Sequence, residues 1–442
     1  MSEIVFLHPQ EQHCVESLLE DGLCCAVVGL SNTGKSTLLR HLCAAGRARV
    51  RGKGALSIYV DCNQMVDLSE QGFYEVVLRT VRSWLGGVEG GEALQGVLEE
   101  IYRRVVEPPN PFAIPVAFAE GMERLCEWVD RPVVIVLDEF DEPFAALEGR
   151  VFLNLRALRD RYGSELIYVI GVERSLGEIR RGEETAEFRE LFAGRLCRMG
   201  LTPSPHVVRW IREMGEEEGV GFSEGEVAFV LTQAGGHPGL VQAVVRLLVR
   251  AKTLAPETYG QMGTALVAEA LPGDPVVLAE NEGLWSCLTD EERRALAEVV
   301  DGRRSEGPAP ESLQSMGVMD EEGRPFGEAF ADFVRAQGAR RGELPRGIWL
   351  DEQAGEVYVD GRRIPMLTDL EFRLLKALYA RKGYLCDRYY LVESVWGGAY
   401  IEQVDNARIE KLISRLRAKI EPDPTYPRYL LTVRGRGYRL VG

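Results

Sequence analysis

A glycine-rich octapeptide carries the strongest chemical pattern in the chain. Residues 29–36, Gly-Leu-Ser-Asn-Thr-Gly-Lys-Ser, fit the pattern G-x-x-x-x-G-K-[ST]. An apolar segment precedes them and a helical pattern follows, so backbone N–H groups and a helix N-terminus would surround a phosphate. Lys35 would reach the β- and γ-phosphates, and Ser36 would bind Mg²⁺. The predicted nucleotide-binding residues of this loop are Gly29, Asn32, Thr33, Gly34, Lys35, Ser36 and Thr37.

A second pattern supplies carboxylates. The apolar segment Val133–Leu137 ends at Asp138 and Glu139. Asp138 would hold Mg²⁺ through water, and Glu139 stands where a base would polarise an attacking water. By itself such a strand end could be a solvated acidic turn, because further acidic residues follow it. Its pairing with the phosphate loop favours the catalytic interpretation.

Three arginines are candidates for sensing the γ-phosphate. Arg174 follows the apolar segment Leu166–Gly171, at the strand end where open α/β sheets place ligand groups. It would contact the γ-phosphate or, alternatively, lie in a solvated loop. Arg189 and Arg195 would reach the nucleotide of a neighbouring subunit or belong to a solvated helix face.

A basic segment near the end of the sequence carries a different chemistry. From about residue 404 to 420, apolar residues recur at helical spacing, and four basic residues recur on an adjacent face: Arg408, Lys411, Arg415 and Lys419. Such a helix can dock on a core and present cations to a DNA major groove. Residues 429–439 then predict a basic hairpin that turns at Gly435 and Gly437, a wing that would lay Arg434 or Arg436 along DNA.

The elements that must position these residues indicate several domains. Short β-branched segments alternate with helical patterns over the first 200 residues, which predicts a doubly wound α/β domain with a parallel sheet. The stretch Glu107–Pro115 holds four prolines and predicts a loop. Further on, Ser223-x-x-Glu226 and Thr368-x-x-Glu371 are capping boxes that open helices, and Pro238 suits the first position of another helix. Residues 338–347 predict a polar linker before a final α+β unit.

Composition and charge exclude several classes of protein. Hydrophobic residues make up 45% and charged residues 27%, as in globular proteins. No apolar run approaches the about 18 residues of a membrane span, and the first residues lack the pattern of a secretory signal. We therefore expect a cytoplasmic protein without a membrane partner. The nine cysteines form no CxxC pair or zinc-like cluster, which predicts buried, reduced thiols.

The net charge of −16 is unevenly distributed along the chain. Residues 347–442 hold 16 basic and 13 acidic residues, and residues 404–442 hold 9 and 4. A chain of this overall charge would not coat nucleic acid indiscriminately. The asymmetry predicts that only the C-terminal module contacts DNA phosphates.

Together the phosphate loop, the Val133–Glu139 strand, Arg174 and the sequence Gly-Gly-His-Pro-Gly at 235–239 resemble a STAND-type ATPase of the AAA+ group over about residues 1–340. The resemblance implies a P-loop ATPase domain (1–202), a helical lid (203–272) and a middle winged helix (277–338). It implies Pro238 against adenine and His237 near the phosphates, although the residues alone indicate only a helix start. Relatives carry Gly-Arg-Glu near the start, where this chain has Phe-Leu-His-Pro at 6–9.

Residues 348–442 resemble an OmpR/PhoB-type winged-helix DNA-binding domain. The resemblance rests on residues 367–378 (LTDLEFRLLKAL), 391–397, 413–424 and 432–440 (TVRGRGYRL). It places Lys411, Leu412 and Arg415 toward base edges. Arg408 and Arg417 would lie near the phosphate contacts, and Arg434 would lie in the wing. Glu410 stands where the family usually has Asp.

The sequence thus predicts an ATP-dependent molecular switch that controls sequence-specific DNA binding, hydrolyses ATP slowly to ADP and phosphate, and self-associates in its ATP state. The expected cofactors are ATP or ADP and Mg²⁺, and the expected partners are double-stranded DNA, further copies of the chain and a separate sensor or trigger protein. Two alternatives stay open. One is an AAA+ ATPase that remodels or loads DNA or assists transposition; the other is a defence-related signalling ATPase with a separate trigger protein.

Overall fold

The computed structural model divides the chain into two compact units, Met1–Val334 and Arg335–Gly442. It describes residues 8–44, 47–87, 91–202, 204–302, 311–320, 323–343, 347–351, 356–364, 367–397, 406–421, 423–424, 426–433 and 435–441. The finer division of the first unit into ATPase, lid and middle winged helix stays a prediction.

A five-stranded parallel sheet forms the centre of the first unit. The strands of this unit are β1 (Cys25–Gly29), β2 (Arg49–Val50), β3 (Lys53–Gly54), β4 (Leu56–Asp61), β5 (Val133–Asp138), β6 (Leu166–Val172) and β7 (Leu196–Met199). The sheet has the order β4-β5-β6-β1-β7, and β2 pairs with β3 in a separate ribbon. Every residue of β1, β5 and β6 is buried, as expected for strands covered on both faces. The predicted P-loop α/β fold is confirmed, and β7 is a strand that the sequence analysis missed.

Helices cover both faces of this sheet. They are α1 (Pro9–Glu20), α2 (Lys35–Leu42), α3 (Glu70–Leu85), α4 (Glu92–Val106), α5 (Ala113–Trp128), α6 (Asp141–Ala146), α7 (Gly149–Tyr162), α8 (Leu176–Ile179) and α9 (Ala186–Glu190), with short 3₁₀ turns at Cys62–Gln64, Gly163–Glu165 and Glu183–Thr185. The loop prediction for Glu107–Pro115 was wrong at its end, because α5 begins at Ala113. Pro115 lies in the first turn, where a missing N–H breaks no helical hydrogen bond.

One pair of cysteines departs from the prediction of reduced thiols. Cys14 on α1 and Cys197 on β7 form a disulfide, with their Cα atoms 5.9 Å apart. The other seven cysteines are free, and each is buried or half-buried. The sequence gives no sign of this pairing, since 183 positions separate the two residues.

The rest of the first unit is helical. Its helices are α10 (Ser204–Glu217), α11 (Glu224–Ala234), α12 (Pro238–Leu254), α13 (Pro256–Met262), α14 (Thr264–Ala270), α15 (Pro275–Ser286), α16 (Asp290–Val300), α17 (Glu311–Ser315) and the first part of α18 (Glu328–Glu343), with a 3₁₀ turn at Leu271–Gly273. Helix α18 continues past Val334 into the second unit. The capping box at Ser223 and the proline start of α12 are confirmed. Helix α18 continues to Glu343, so the predicted linker is helical in its first part.

The first unit has two hydrophobic cores. One is built around the sheet, and the other lies among α10–α18. Leu30, from the phosphate loop, belongs to the second core and is 1% exposed. The loop that follows β1 is therefore packed into the helical part.

The second unit is an α+β domain. It consists of β8 (Ile348–Asp351), β9 (Glu356–Val359), β10 (Arg362–Arg363), α19 (Asp369–Ala380), α20 (Arg388–Trp396), α21 (Asn406–Ile420), β11 (Leu430–Val433) and β12 (Gly437–Leu440). Strands β8–β10 form one antiparallel sheet, and β11 and β12 form the predicted hairpin. The capping box that opens α19 is confirmed. The winged-helix prediction for this segment is confirmed.

Candidate functional site

The phosphate loop (residues 29–36) curls around the ammonium group of Lys35. Lys35 Nζ donates to the carbonyl oxygens of Gly29 and Leu30, both at 2.9 Å, and the residue is 4% exposed. Asn32 and Gly34 adopt positive φ values of 55° and 101°, which tighten the turn ahead of α2. Backbone N–H groups and a lysine at one helix start fit a bound phosphate. Thr33 donates to Leu30 O at 2.8 Å, Ser36 is half-buried, and Thr37 is exposed.

Asp138 approaches α2, the helix that follows the phosphate loop, because β6 carries a glycine beside it. Strand β6 lies between β1 and β5, so the carboxylate must pass over it. A Cβ atom at Gly171 would lie 2.5 Å from Asp138 Oδ1 and 2.7 Å from Leu39 Cδ1 on α2. Gly171 therefore makes room for the carboxylate. The sequence analysis missed this role, although a lone glycine in an apolar strand is a signal of close approach.

Two hydrogen bonds fix the orientation of the Asp138 carboxylate. The Tyr59 hydroxyl on β4 donates to Oδ2 at 2.5 Å, and the backbone N–H of Glu139 donates to Oδ1 at 3.1 Å. Tyr59 is a second residue that the sequence analysis missed. A buried carboxylate and the Ser36 hydroxyl are oxygen ligands of the kind that Mg²⁺ prefers, so these residues fit a nucleotide-bound Mg²⁺.

Glu139 and Asp141, which follow β5, lie in an environment that disfavours their charge. Glu139 has a positive φ of 54°, and burial raises its pKa, with Asp138 and Glu173 adding to the effect and Lys35 opposing it. Burial also raises the pKa of Asp141 to about 6. Asp141 accepts hydrogen bonds from the backbone N–H of Glu173 at 2.9 and 3.1 Å. A base with a raised pKa suits proton transfer near neutral pH.

Arg174 is bound by the helical part of the first unit. Its Nε and Nη2 donate to the carbonyl oxygen of Cys287 at 3.0 and 2.7 Å, and its guanidinium forms an ion pair with Glu292. The two arginines proposed to reach a neighbouring subunit's nucleotide instead bond to carbonyl groups nearby in the sequence. Arg189 donates to Gly182 O at 3.1 Å, and Arg195 donates to Leu191 O at 2.8 Å.

Two further contacts join the helical part to the phosphate loop. His237 Nε2 lies 2.9 Å from Ser31 O, while its Nδ1 accepts from Leu240 N at 3.3 Å as the N-cap of α12. His237 is fully buried, and burial lowers its pKa to about 4, so the neutral ring donates to Ser31. Pro238 is the buried first residue of α12. On the other side, Asn32 Nδ2 donates to the Glu280 carboxylate at 3.0 and 3.2 Å.

His8 borders the loop from the N-terminal side. It is 5% exposed, and its Nε2 lies 3.3 Å from Thr202 Oγ1. A Cβ atom at Gly34 would lie 3.8 Å from the His8 ring. The sequence analysis recorded His8 only as a departure from the pattern of relatives, so its position beside the loop is new information.

Helix α21 separates an apolar face from a basic face. The apolar residues are buried as the periodicity predicts: Ile409, Leu412, Ile413, Leu416 and Ile420. Leu412 is 6% exposed, so its predicted position toward base edges is corrected: the side chain packs in the core. Arg408, Lys411 and Arg415 are exposed, and Arg408 also lies over the Trp396 ring, 5.9 Å from its centroid.

Arg417 links α21 to the hairpin. Its Nε and Nη2 donate to Leu430 O at 3.0 and 2.6 Å, and Nη2 also donates to Thr432 Oγ1 at 2.8 Å. These bonds use the donors that the sequence analysis had predicted for a phosphate. We therefore interpret Arg417 as a residue that holds strand β11 against the helix.

The hairpin forms the predicted wing. Position 437 requires glycine, because a Cβ atom there would lie 2.2 Å from Cys386 O and the backbone φ is 138°. Arg436 is exposed at the turn. Arg434 lies outside the described residues. Glu421 accepts from the backbone N–H groups of Arg428 and Leu430, both at 2.6 Å, and so fixes the entry to β11.

Comparison with known proteins matches the second unit to a family. Residues 362–440 match the family model "Transcriptional regulatory protein, C terminal". The second unit carries an OmpR/PhoB-type DNA-binding domain. A probable transcriptional regulator ycf27 of Guillardia theta is 42% identical over 91 residues, which are 21% of this chain and 35% of that protein. The chain thus spans about a third of that relative's length.

Solved structures resemble both units. The Walker-type ATPase of Pyrococcus abyssi has a TM-score of 0.46 and 14% identity, over 74% of this chain and 95% of that chain. The DNA-binding domain of Klebsiella pneumoniae RstA, in complex with the RstA box, has a TM-score of 0.20 and 28% identity, over 22% of this chain and 95% of that chain. The fold assignment depends on the strand order and the phosphate loop described above, because these scores lie below 0.5. Among the described residues, no helix is long and apolar enough to span a bilayer.

Proposed function

We propose that this chain is a STAND-type, ATP-dependent switch whose nucleotide state controls sequence-specific binding to double-stranded DNA in transcriptional regulation. The chain combines an AAA+-type P-loop fold with a transcriptional-regulator DNA-binding domain. One observation carries the proposal: the phosphate loop is itself part of the helical core. Leu30 is buried among α10–α18, and His237 bonds to Ser31. A nucleotide in the loop would therefore affect the helices that follow the sheet.

The proposed roles at the nucleotide follow from these positions. Lys35 would exchange its two backbone carbonyl partners for phosphate oxygens. Ser36 and Asp138 would hold Mg²⁺, which supplies neutralising charge at the phosphates when bound. Glu139 would orient and deprotonate the attacking water, and Arg174 would contact the γ-phosphate. Gly29, Asn32, Thr33, Gly34 and Thr37 would surround the phosphates, with His237 and Pro238 at the lid side.

The proposed output is contact with DNA through the basic set, by which we mean Arg408, Lys411, Arg415 and Arg436. Lys411 and Arg415 would enter the major groove, and the hairpin would follow the backbone or minor groove. One such module binds modestly and in a salt-dependent way. Self-association in the ATP state would join several modules and raise the effective affinity. We further propose a cytoplasmic location and the four domains 1–202, 203–272, 277–338 and 348–442.

The test is whether nucleotide changes the affinity of the full chain for DNA. A pool of random-sequence duplexes would first be enriched by binding to the Glu139→Gln variant with ATP and Mg²⁺. The enriched duplex would then be titrated with wild-type chain that is nucleotide-free, ADP-loaded or loaded with a non-hydrolysable ATP analogue. We expect the affinities to differ between the ADP and ATP-analogue states. Equal affinities in all three states would refute the switch.

Turnover separates the switch from a DNA-remodelling ATPase. A switch should hydrolyse ATP slowly, with little response to DNA, whereas a remodelling enzyme should be strongly stimulated by it. Glu139→Gln should retain nucleotide binding and slow hydrolysis by roughly a hundredfold or more, the usual contribution of a general base.

Light scattering should give a larger mass with ATP than with ADP, and identical masses would exclude the assembly step.

A further inference from the structure

Arg174 forms an interaction with the segment that joins α15 to α16. Its guanidinium donates twice to Cys287 O, at 3.0 and 2.7 Å, and pairs with both oxygens of Glu292. The longer of the two contacts to Glu292, from Nη1 to Oε1, is 3.3 Å. The side chains of Arg174 and Glu292 are 16% and 6% exposed, so water screens this pair only weakly.

Glu292 is held in place by its own helix start. The Thr289 N–H donates to Glu292 Oε2 at 2.8 Å, and the Glu292 N–H donates to Thr289 Oγ1 at 3.2 Å, so the two residues form a capping box. Burial alone would raise the pKa of Glu292, but the hydrogen bonds from Arg174, Thr289 and Ser312 outweigh it and lower the pKa. The carboxylate is therefore charged and held next to the Arg174 guanidinium.

A second carboxylate of the helical part contacts the phosphate loop. Glu280 on α15 accepts from the Asn32 side chain at 3.0 and 3.2 Å. Asn32 and Arg174 are both donors that we propose for a nucleotide's phosphates. Two carboxylates of the helical part thus occupy donors that the phosphates of a bound nucleotide would use, and two anions cannot share one donor without repulsion.

We infer that Glu292 is a specificity-determining residue that favours a nucleoside diphosphate over a triphosphate by competing with the γ-phosphate for Arg174. This inference rests on the proposed nucleotide site and names how that site distinguishes its two ligands. A diphosphate lacks the group that Arg174 would contact, so it can bind while the Arg174–Glu292 pair remains. A triphosphate that takes Arg174 leaves a buried carboxylate unpaired, which is unfavourable unless α16 moves away. Nucleotide choice and the position of α16 are thereby coupled.

Glu292→Gln tests the inference directly. Glutamine also serves in a capping box, so α16 should keep its start while it loses the charge. The matched control is Glu291→Gln, which removes the same charge from an exposed neighbour in the same helical turn. Calorimetry on the full chain with Mg²⁺ would measure the dissociation constants of ADP and of a non-hydrolysable ATP analogue. We expect the preference for the triphosphate to rise by about fivefold or more in Glu292→Gln, and to stay at the wild-type value in Glu291→Gln.

A double-mutant cycle shows whether the effect passes through Arg174. In an Arg174→Ala background, Glu292→Gln should leave the preference between the two nucleotides unchanged. A shift of equal size in that background would overturn the inference. So would an unchanged preference in the single variant when both nucleotides still bind. If the wild-type chain bound neither nucleotide, the proposed function itself would be refuted as well.

Hydrogen exchange on the wild-type chain gives a test that needs no variant. The Glu292 side chain accepts a hydrogen bond from the Thr289 amide within the capping box that opens α16. The first turn of α16 should exchange faster with the ATP analogue than with ADP, because the triphosphate releases the Glu292 side chain. Equal exchange with the two bound nucleotides would contradict the competition.

Discussion

The phosphate-loop region and the basic face of α21 use similar polar side chains in opposite settings. Around the loop, the residues proposed to bind phosphates already have protein partners: Lys35 bonds to two carbonyls, Asn32 to Glu280, and Arg174 to Glu292. On the second unit, Lys411 and Arg415 are exposed on a helix whose other face is buried in the core. In the first region the candidate ligand-binding groups contact other parts of the protein, whereas in the second Lys411 and Arg415 are exposed to solvent.

The difference indicates where control can act. A ligand at the loop must exchange protein contacts for its own, so binding there is coupled to the elements that supply those contacts. DNA can reach Lys411 and Arg415 directly, because these side chains are exposed. We therefore expect nucleotide to regulate the availability or number of DNA-binding modules, and not the shape of the DNA-binding helix.

The largest expected effect breaks the first half of this comparison. Lys35→Ala removes the charge at the centre of the loop, so nucleotide affinity should fall by at least about a hundredfold, the equivalent of about 3 kcal/mol of charge-assisted hydrogen bonding. Calorimetry with ADP would measure it. The control is Lys53→Ala, an exposed lysine in the β2–β3 ribbon. Unchanged ADP affinity in Lys35→Ala would show that the loop is not the nucleotide site.

His237 should make the stability of the first unit decrease in acid. Its pKa is about 4 in the folded chain and about 6.5 when unfolded. The unfolded chain therefore binds the proton first, and stability falls as the pH drops from about 6.5 to about 4, by up to about 3 kcal/mol. Guanidinium unfolding at several pH values would show this loss.

The variant His237→Asn isolates this contribution, since asparagine also caps helices but does not titrate. Its acid-dependent loss should be smaller than that of the wild type, whereas exposed His13→Asn should behave as the wild type. Parallel curves of stability against pH for the wild type and His237→Asn would mean that protonation of His237 does not cause the loss.

Sequence reasoning predicts the parts of the fold that local patterns encode. The strand β5, the capping box at Ser223 and the apolar face of α21 follow from runs and periods within a few residues. Strand β7 was missed because its four residues carry no distinctive pattern. The Cys14–Cys197 pair was missed because only the folded sheet brings α1 and β7 together.

The same limit applies to the functional residues. Lys35 and Asp138 are predictable because motif spacing places Lys35 at the start of α2 and Asp138 at the end of β5. Arg417 and Arg415 look alike in the sequence, since both are basic residues of one helix. Only the hydrogen bonds of Arg417 to Leu430 separate a residue that holds the hairpin from one that faces solvent. Partners that are distant along the chain, such as Glu292, leave no local signal at all.

That pair of arginines gives a sharper test of the second region. Arg415→Ala should lower specific DNA affinity by about 2 kcal/mol and leave hydrogen exchange in β11 unchanged. Arg417→Ala should instead speed amide exchange in β11, because it removes three hydrogen bonds and leaves Leu430 O without its partner, at a loss of about 2 kcal/mol. If Arg417→Ala weakened DNA binding while β11 exchanged as in the wild type, Arg417 would belong to the DNA contacts after all.

The smallest effect concerns the orientation of Asp138. Tyr59→Phe removes the hydroxyl that donates to Asp138 Oδ2, so the carboxylate should hold Mg²⁺ less well, by about 1 kcal/mol or several-fold in the Mg²⁺ concentration needed for half-maximal ATP hydrolysis. Tyr102→Phe is the matched control, because that hydroxyl donates to Glu75 at 2.7 Å on α3, outside the site. A purely structural role for Tyr59 would lower stability in both variants alike and leave the Mg²⁺ requirement unchanged. A change in the Mg²⁺ requirement that occurs only in Tyr59→Phe would show that the hydrogen bond from Tyr59 positions Asp138 for the metal ion.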